Sequence, residues 1–252
     1  MVRAKKHLGQ HFLLDESISK KISDSLTNTS NYNTIIEVGA GTGALTKYLL
    51  EKEEKLIALD VDEESIYYLK KHYPELDIRN LDFLKINIDN LSENNFAVIG
   101  NFPYNISSQI LFKILDYKDK IPEVLGMFQQ EVAQRICEPP GTKKYGIISV
   151  LLQAYYSTEY LFTVDKSAFL PPPKVQSGVI RLKRNATTQL PCDEKLFKQV
   201  VKISFNQRRK MIRNSVKPLL SDKKAQHKFF TKRPEQLSVD DFIELTNFIA
   251  SN

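Results

Sequence analysis

Cysteine is scarce in this chain of 252 residues: Cys137 and Cys192 stand far apart, with no CxxC spacing. That excludes a disulfide framework and a cysteine zinc site, no metal is expected, and the pattern agrees with a reducing compartment. No segment approaches the ~20 apolar residues of a membrane-spanning helix. Val2-Arg3-Ala4-Lys5-Lys6 at the start offers no apolar core of a secretory signal, so a cytoplasmic protein is expected. Internal repeats and low-complexity tracts are also missing. Glycine numbers only nine, and three of the nine fall at 39, 41 and 43.

What is present is 42% hydrophobic residues, enough for one substantial core with a small module appended. The net charge of +6 is unevenly spread. From Lys166 onward 18 Lys and Arg face 7 Asp and Glu, giving +11, so the first 165 residues carry −5. A basic C-terminal third on an otherwise acidic chain is the footprint of a partner rich in phosphates.

Apolar residues spaced by four, Ile18, Ile22 and Leu26, predict an amphipathic helix over Asp15–Leu26. Thr34–Val38 then reads as a strand, running into the glycine turn Gly39-Ala40-Gly41-Thr42-Gly43 and a helix over Ala44–Leu50. The pattern repeats: strand Lys55–Leu59, helix Glu63–His72, strand Leu76–Leu81, strand Phe96–Gly100 and helix Ser107–Leu115. Val124–Phe128 supplies a fifth strand, Gly146–Tyr156 a helix, and Gly178–Leu182 a late strand expected to pair antiparallel at an edge. Such alternation predicts an α/β, doubly wound, mostly parallel sheet. The polar stretch Asn185–Asp193, with Pro191, sets the expected boundary between a cofactor-binding catalytic domain at 1–187 and a small all-helical domain at 188–252.

Gly39, Gly41 and Gly43 sit where the backbone must turn tightly and approach a ligand. The same residues fit a dinucleotide fingerprint, and Asp60 lies about 20 residues on, so a nicotinamide oxidoreductase is one reading. The acids favour a nucleoside sulfonium instead. Glu37, two residues before the first glycine, can order the turn or meet a cationic ligand, which a pyrophosphate would not invite. Asp60 can accept ribose hydroxyls and Asp82 an adenine amino group, each at the carboxyl end of a strand.

Asn101-Phe102-Pro103-Tyr104 follows another strand end. An adenine N6 is a poor nucleophile because its lone pair is delocalised into the ring, and two aimed acceptors would favour the pyramidal nitrogen. The Asn101 side-chain oxygen supplies one. The Phe102 carbonyl supplies the other, since Pro103 restricts Phe102 to extended geometry. Tyr104 can stack on the base, with Phe169 as the candidate second face. Transfer from a sulfonium is an in-line displacement in which orientation matters more than a strong base, and the target base must be unpaired or flipped.

Four segments together resemble the ribosomal RNA adenine N6,N6-dimethyltransferases, and most closely the small-subunit (16S) branch linked to kasugamycin resistance. They are Leu8-Gly9-Gln10-His11-Phe12-Leu13, Glu37 to Gly43, Asn101 to Ser107, and Phe169-Leu170-Pro171-Pro172-Pro173-Lys174-Val175-Gln176-Ser177. The resemblance spans nearly the whole chain. It implies a Rossmann-like class I methyltransferase domain that uses S-adenosylmethionine, with His11, Leu13, Gly39, Asp60, Asp82 and Asn101 contacting the donor. It also implies dimethylation of two adjacent adenosines in the 3′-terminal hairpin of 16S ribosomal RNA, in an immature small subunit, by a monomer. The family often has Asn where His11 stands and Leu where Phe102 stands.

The segment Phe205–Lys217 helps choose within the family. As one helix it would share Arg208, Arg209, Arg213 and Lys217 on a basic face, with Lys210 beside them, and pack Phe205, Ile212 and Val216 inward. This run resembles the small-subunit branch more than the macrolide-resistance branch, which modifies one adenine of 23S RNA. A binding protein that kept the fold, like the mitochondrial transcription factors related to the family, would not need the intact glycine turn and Asn101–Tyr104.

Overall fold

The computed structural model describes residues 2–27 and 29–252. In chain order its elements are β1 (Phe12–Leu13), α1 (Glu16–Asp24), β2 (Thr34–Val38), α2 (Thr46–Leu49), β3 (Lys55–Asp60), α3 (Glu63–His72), β4 (Asp77–Asn80), β5 (Phe96–Asn101) and α4 (Ser107–Asp116). Then follow β6 (Glu123–Gln129), α5 (Gln130–Cys137), α6 (Ile147–Gln153), β7 (Tyr156–Val164), β8 (Phe169–Leu170), β9 (Ser177–Arg184), α7 (Glu194–Asn206), α8 (Ile212–Val216) and α9 (Val239–Ala250). No helix among the described residues is long and apolar enough to cross a membrane.

The chain divides into two compact units. The first holds the described residues up to Ala133 together with Thr158–Arg184; the second holds Gln134–Ser157 and Asn185–Asn252. The expected split at 187/188 therefore differs from the observed one. Gln134–Ser157 belongs with the C-terminal helices because α6 buries Val150, Leu151 and Leu152 among helices rather than on the sheet. The core of the second unit runs through Tyr145, Phe205 and Phe242, with ring centroids 6.0 and 5.9 Å apart.

The sheet of the first unit has the order β4-β3-β2-β5-β6-β9-β7. β2 pairs parallel with β3 and β5, β3 with β4, and β5 with β6, while β9 runs antiparallel to β6. The continuous apolar character of β2, β3 and β5 follows, because a parallel sheet is covered on both faces. The expected Rossmann-like order is thus present, with three corrections. The late strand β9 is not the edge: β7 lies outside it, over residues whose exposed and half-buried positions mix as an edge strand's do. The helix expected through Tyr156 stops at Gln153, and the one expected over Ala44–Leu50 shrinks to Thr46–Leu49.

After β2 the chain winds through β3 to β4 on one side, then returns to lay β5 on the other. The gap outside the carboxyl ends of β2 and β5 is the switch point where such sheets bind ligands. Gly39 leaves β2 there and Asn101 closes β5 there. A separate antiparallel pair, β1 with β8, ties the N-terminal segment to the proline-rich segment (Phe12↔Leu170, Leu13↔Phe169).

Phe102, just past β5, is fully buried and packs on Phe128 at 5.1 Å between ring centroids. The ring has room only because positions 100 and 126 carry no side chain: a Cβ at Gly126 would overlap the Phe102 ring and stand 2.6 Å from Phe128. Gly126→Ala should therefore lose roughly 1–3 kcal/mol of stability by overpacking the Phe102 ring. Denaturant unfolding of the variant checks it, and wild-type stability would contradict this account.

Candidate active site

A cleft open to solvent, with a cavity volume of about 110 Å³, lies over the switch point. It is lined by the N-terminal segment 8–13, the glycine turn, the ends of β3 and β5, and the loop after β4. His11, Leu13, Glu37, Gly39, Gly41, Asp60, Asp82, Asn101, Phe102, Pro103 and Tyr104 all line it. Residues far apart in sequence are thus brought to one wall system by the parallel strand order.

Gly39 has φ +75°, and no atom lies within 4 Å of where its Cβ would be, so the backbone is open to a ligand. Gly43 departs from expectation. It is not part of the cleft: a Cβ there would stand 3.0 Å from Leu69 and Tyr73, so its glycine serves the packing of the turn on the end of α3.

Asp60 is buried, and both its oxygens are anchored by backbone N–H groups: Gly41 to Oδ2 at 2.8 Å and Asp62 to Oδ1 at 2.8 Å. Burial pushes its pKa up, while these N–H groups pull the other way. The carboxylate keeps acceptor capacity for a hydroxyl in the cleft. Asp82, less buried, accepts from the Leu84 N–H at 2.9 Å and pairs with Lys85 at 3.4 Å.

Glu37 is buried within β2, and its Oε2 accepts from the Thr46 hydroxyl at 2.6 Å. Burial, reinforced by the negative charge of Asp60, pushes its pKa to about 8, against the Thr46 hydrogen bond. The acid thus orders the start of α2 and faces the cleft.

The acceptor tetrapeptide is held from three directions. The Asn101 Nδ2 donates to the His11 carbonyl at 2.8 Å, which engages the donor end of the amide and leaves Oδ1 as the free acceptor end. The Phe102 N–H donates to the Met127 carbonyl at 3.2 Å. The Tyr104 hydroxyl bonds the buried Ser177 hydroxyl at 2.6 Å, and its ring stacks on His11 at 5.6 Å and 28°. His11 Nδ1 lies 2.8 Å from the Pro171 carbonyl, so that nitrogen carries the proton and the ring is fixed. His11 therefore acts through both backbone and ring. Ser177 is a site residue that sequence reasoning missed; its only signal is its place in the proline-rich motif.

Phe169 is corrected. It is only 3% exposed and sits in the core with Leu13, Leu125 and Met127, because the alternation of β8 turns it inward and leaves Leu170 outside, 54% exposed. It offers no stacking face to the cleft.

In the second unit the expected single basic helix is broken. α7 ends at Asn206, Gln207–Met211 form a turn, and α8 starts at Ile212. Phe205, Ile212 and Val216 pack inward as expected. Arg208 is half-buried: it donates to the Thr142 carbonyl at 3.0 Å and lies 3.7 Å from Glu235, so it braces the turn. Arg209, Lys210, Arg213 and Lys217 lie toward solvent, with Arg213 also donating to Gln226 at 3.1 Å. Arg208, Arg209 and Lys210 are thus carried by the turn, and Arg213 and Lys217 by α8 and the residue that caps it.

The raised pKa of Glu37 makes stability depend on pH. An acid with a raised pKa binds protons more tightly folded than unfolded. The folded state is therefore favoured below the unfolded value of ~4.3 and loses that advantage as pH rises to about 8, beyond which the dependence flattens. Relative to Glu37→Gln, the wild type should lose stability over that window and not above it. Denaturant titrations across the window check this; parallel curves would refute it.

Comparison with known proteins agrees with this geometry. Residues 1–251 match the model of the ribosomal RNA adenine dimethylase family. The ribosomal RNA small subunit methyltransferase A of Flavobacterium johnsoniae is 57% identical over 255 residues, covering 100% of this chain and 97% of that protein. The protein of the same name from Cytophaga hutchinsonii is 54% identical, covering 99% and 98%. Among solved structures, a dimethyladenosine transferase from Plasmodium falciparum superposes with a TM-score of 0.80 at 23% identity, covering 96% and 98% of the two chains, a likeness of fold. The chain belongs to the ribosomal RNA adenine dimethylase family.

Proposed function

We propose that the protein transfers methyl groups from S-adenosylmethionine to N6 of two adjacent adenosines in the 3′-terminal hairpin of 16S ribosomal RNA, giving N6,N6-dimethyladenosine. The observation that carries this reading is the fixed Asn101 amide, whose donor end is held by the His11 carbonyl and whose acceptor oxygen borders the same cleft as the glycine turn. The small-subunit identity of the RNA is supported by the names of relatives at 57% and 54% identity, which do not favour the 23S alternative. On this reading the substrate is an immature small subunit, and the enzyme acts as a monomer in the cytoplasm.

The residues of the cleft fit the methyl donor. Space stands open at Gly39, Asp60 presents acceptor capacity suited to ribose hydroxyls, Asp82 suits an adenine amino group, and the buried Glu37 orders the residues after the glycine turn through Thr46. When bound, the donor supplies an electrophilic methyl carbon on a sulfonium. Asn101 Oδ1 and the Phe102 carbonyl accept from the N6 protons of the target, which localises the nitrogen lone pair and directs it along the line of displacement. Pro103 fixes where the Phe102 carbonyl points. Tyr104, held by Ser177 and His11, supports one face of the base. A paired base cannot reach this depth, so the target is flipped or unpaired. The proposed RNA contacts are Arg209, Lys210, Arg213 and Lys217, with Arg208 supporting their turn.

Two outcomes are expected. Asn101→Ala should lower turnover on immature small subunits about 10²-fold or more while leaving RNA affinity unchanged; mass spectrometry of the RNA locates the modified nucleotides. Unaltered turnover, or label confined to large-subunit RNA, refutes the reading. Reversing Arg209 and Lys210 to Glu should weaken RNA binding and flatten the dependence of log K on log salt by about 1 for each phosphate no longer neutralised. An unaltered slope would remove these residues from the interface.

A further inference from the structure

The residue proposed to read the donor's adenine, Asp82, stands in a turn that belongs to no helix or strand. Local bonds shape the turn itself: the Asp82 carbonyl accepts from Lys85 at 2.9 Å and Ile86 at 3.1 Å, and its carboxylate accepts from Leu84. None of these bonds fixes the turn against the rest of the cleft. One tie precedes the turn, where the Leu81 N–H donates to the Asp60 carbonyl at 3.2 Å; the ties of the residues after Asp82 come from α4, the helix that begins directly after Asn101–Ile106. Lys113 donates through Nζ to the Leu84 carbonyl at 3.0 Å and also to the Ile86 carbonyl. One turn further along, the Tyr117 hydroxyl donates to Asn87 at 3.3 Å. The Lys113 ammonium also lies 5.7 Å from the centroid of Phe83, the buried ring next to Asp82.

A half-buried ammonium is a costly way to fill this place, since a Met would cover the same surface without desolvation. Burial holds the Lys113 pKa below the usual lysine value, against the pull of Asp82 and Asp116. What the ammonium provides, and an apolar chain cannot, is a charged donor to two carbonyls that flank the turn and a positive charge near Asp82. The same helix thereby connects the loop that presents the acceptor amine's partners to the loop that meets the donor's base.

We propose that Lys113 is a positioning residue for recognition of the methyl donor's adenine, clamping residues 84–86 so that the Asp82 carboxylate meets the exocyclic amine. This rests on the reading of Asp82 given above. The role is specific: it makes the preference for a 6-amino over a 6-oxo purine depend on a residue that touches neither.

Calorimetric binding of S-adenosylhomocysteine and S-inosylhomocysteine to the full chain tests it, in the wild type, Lys113→Met, Lys113→Arg and Asp82→Ala. The wild type should prefer the adenine ligand by about tenfold or more, as expected where an acceptor covered by the bound ligand would lose its donor. Lys113→Met should bring that ratio towards one and raise KM for the donor with kcat at saturation little changed. Lys113→Arg, which can still donate to both carbonyls, should keep the wild-type ratio. If Lys113→Met weakens both ligands equally and keeps the ratio while Asp82→Ala loses it, the residue is merely structural and the proposal is overturned alone. If Asp82→Ala also keeps the ratio, the reading of Asp82 fails and the proposal with it. Should Lys113→Met not fold, Lys113→Ala, which also lacks a donor, is read in the same way.

Discussion

The hydrogen bond from the Asn101 amide to the His11 carbonyl decides which end of that amide faces the cleft. A free asparagine can present either its donor or its acceptor, and only the acceptor can draw the lone pair of an aromatic amine onto nitrogen. Committing the Nδ2 to a backbone carbonyl 90 positions away in sequence removes the ambiguity. The rest of the cleft serves that bond. β1 is held by β8, the His11 ring is held by the Pro171 carbonyl, and the stack of His11 on Tyr104 sets the wall beside the acceptor. The N-terminal segment is therefore part of the cleft wall.

Its other end is secured equally directly. Gln10 donates to Asp62 at 3.0 Å, Lys5 bonds the same carboxylate, and Asp62 in turn donates its N–H to Asp60. The carboxylate suited to a ribose and the segment that orients Asn101 thus share one network of charge-assisted hydrogen bonds, of the stronger kind. Below them the buried Phe102 ring fills the space left by Gly100 and Gly126. Phe where the family often has Leu is accommodated by glycines on β5 and its neighbour β6.

Much of the first unit is legible in the sequence because each signal is local. Alternating apolar runs and helices specify a parallel sheet, and acids at strand ends specify a ligand edge. The failures are equally physical. Phe169 carries the right chemistry for stacking, but the two-residue period of β8 turns it into the core. Gly43 looks like a ligand glycine because it sits in the turn, yet its missing side chain makes room for Leu69 and Tyr73 at the end of α3. The basic run at 208–217 has helical spacing, but its helix breaks at Gln207, and Arg208 serves a carbonyl of the loop between α5 and α6 instead of solvent.

The sequence by itself determined the fold class, the edge of the sheet where ligands bind, and the presence of an acceptor motif beside a glycine turn. These depend on residue type and short-range periodicity, which survive without knowledge of neighbours. Tertiary structure decided the assignment of Gln134–Ser157 to the helical unit, the role of His11 and Ser177 in holding Asn101 and Tyr104, and the clamp from Lys113 to the turn after β4. Each of those is a contact between residues at least a helix apart. A hydrogen bond's partner is set by where the chain returns in space, and no spacing along the chain encodes that return.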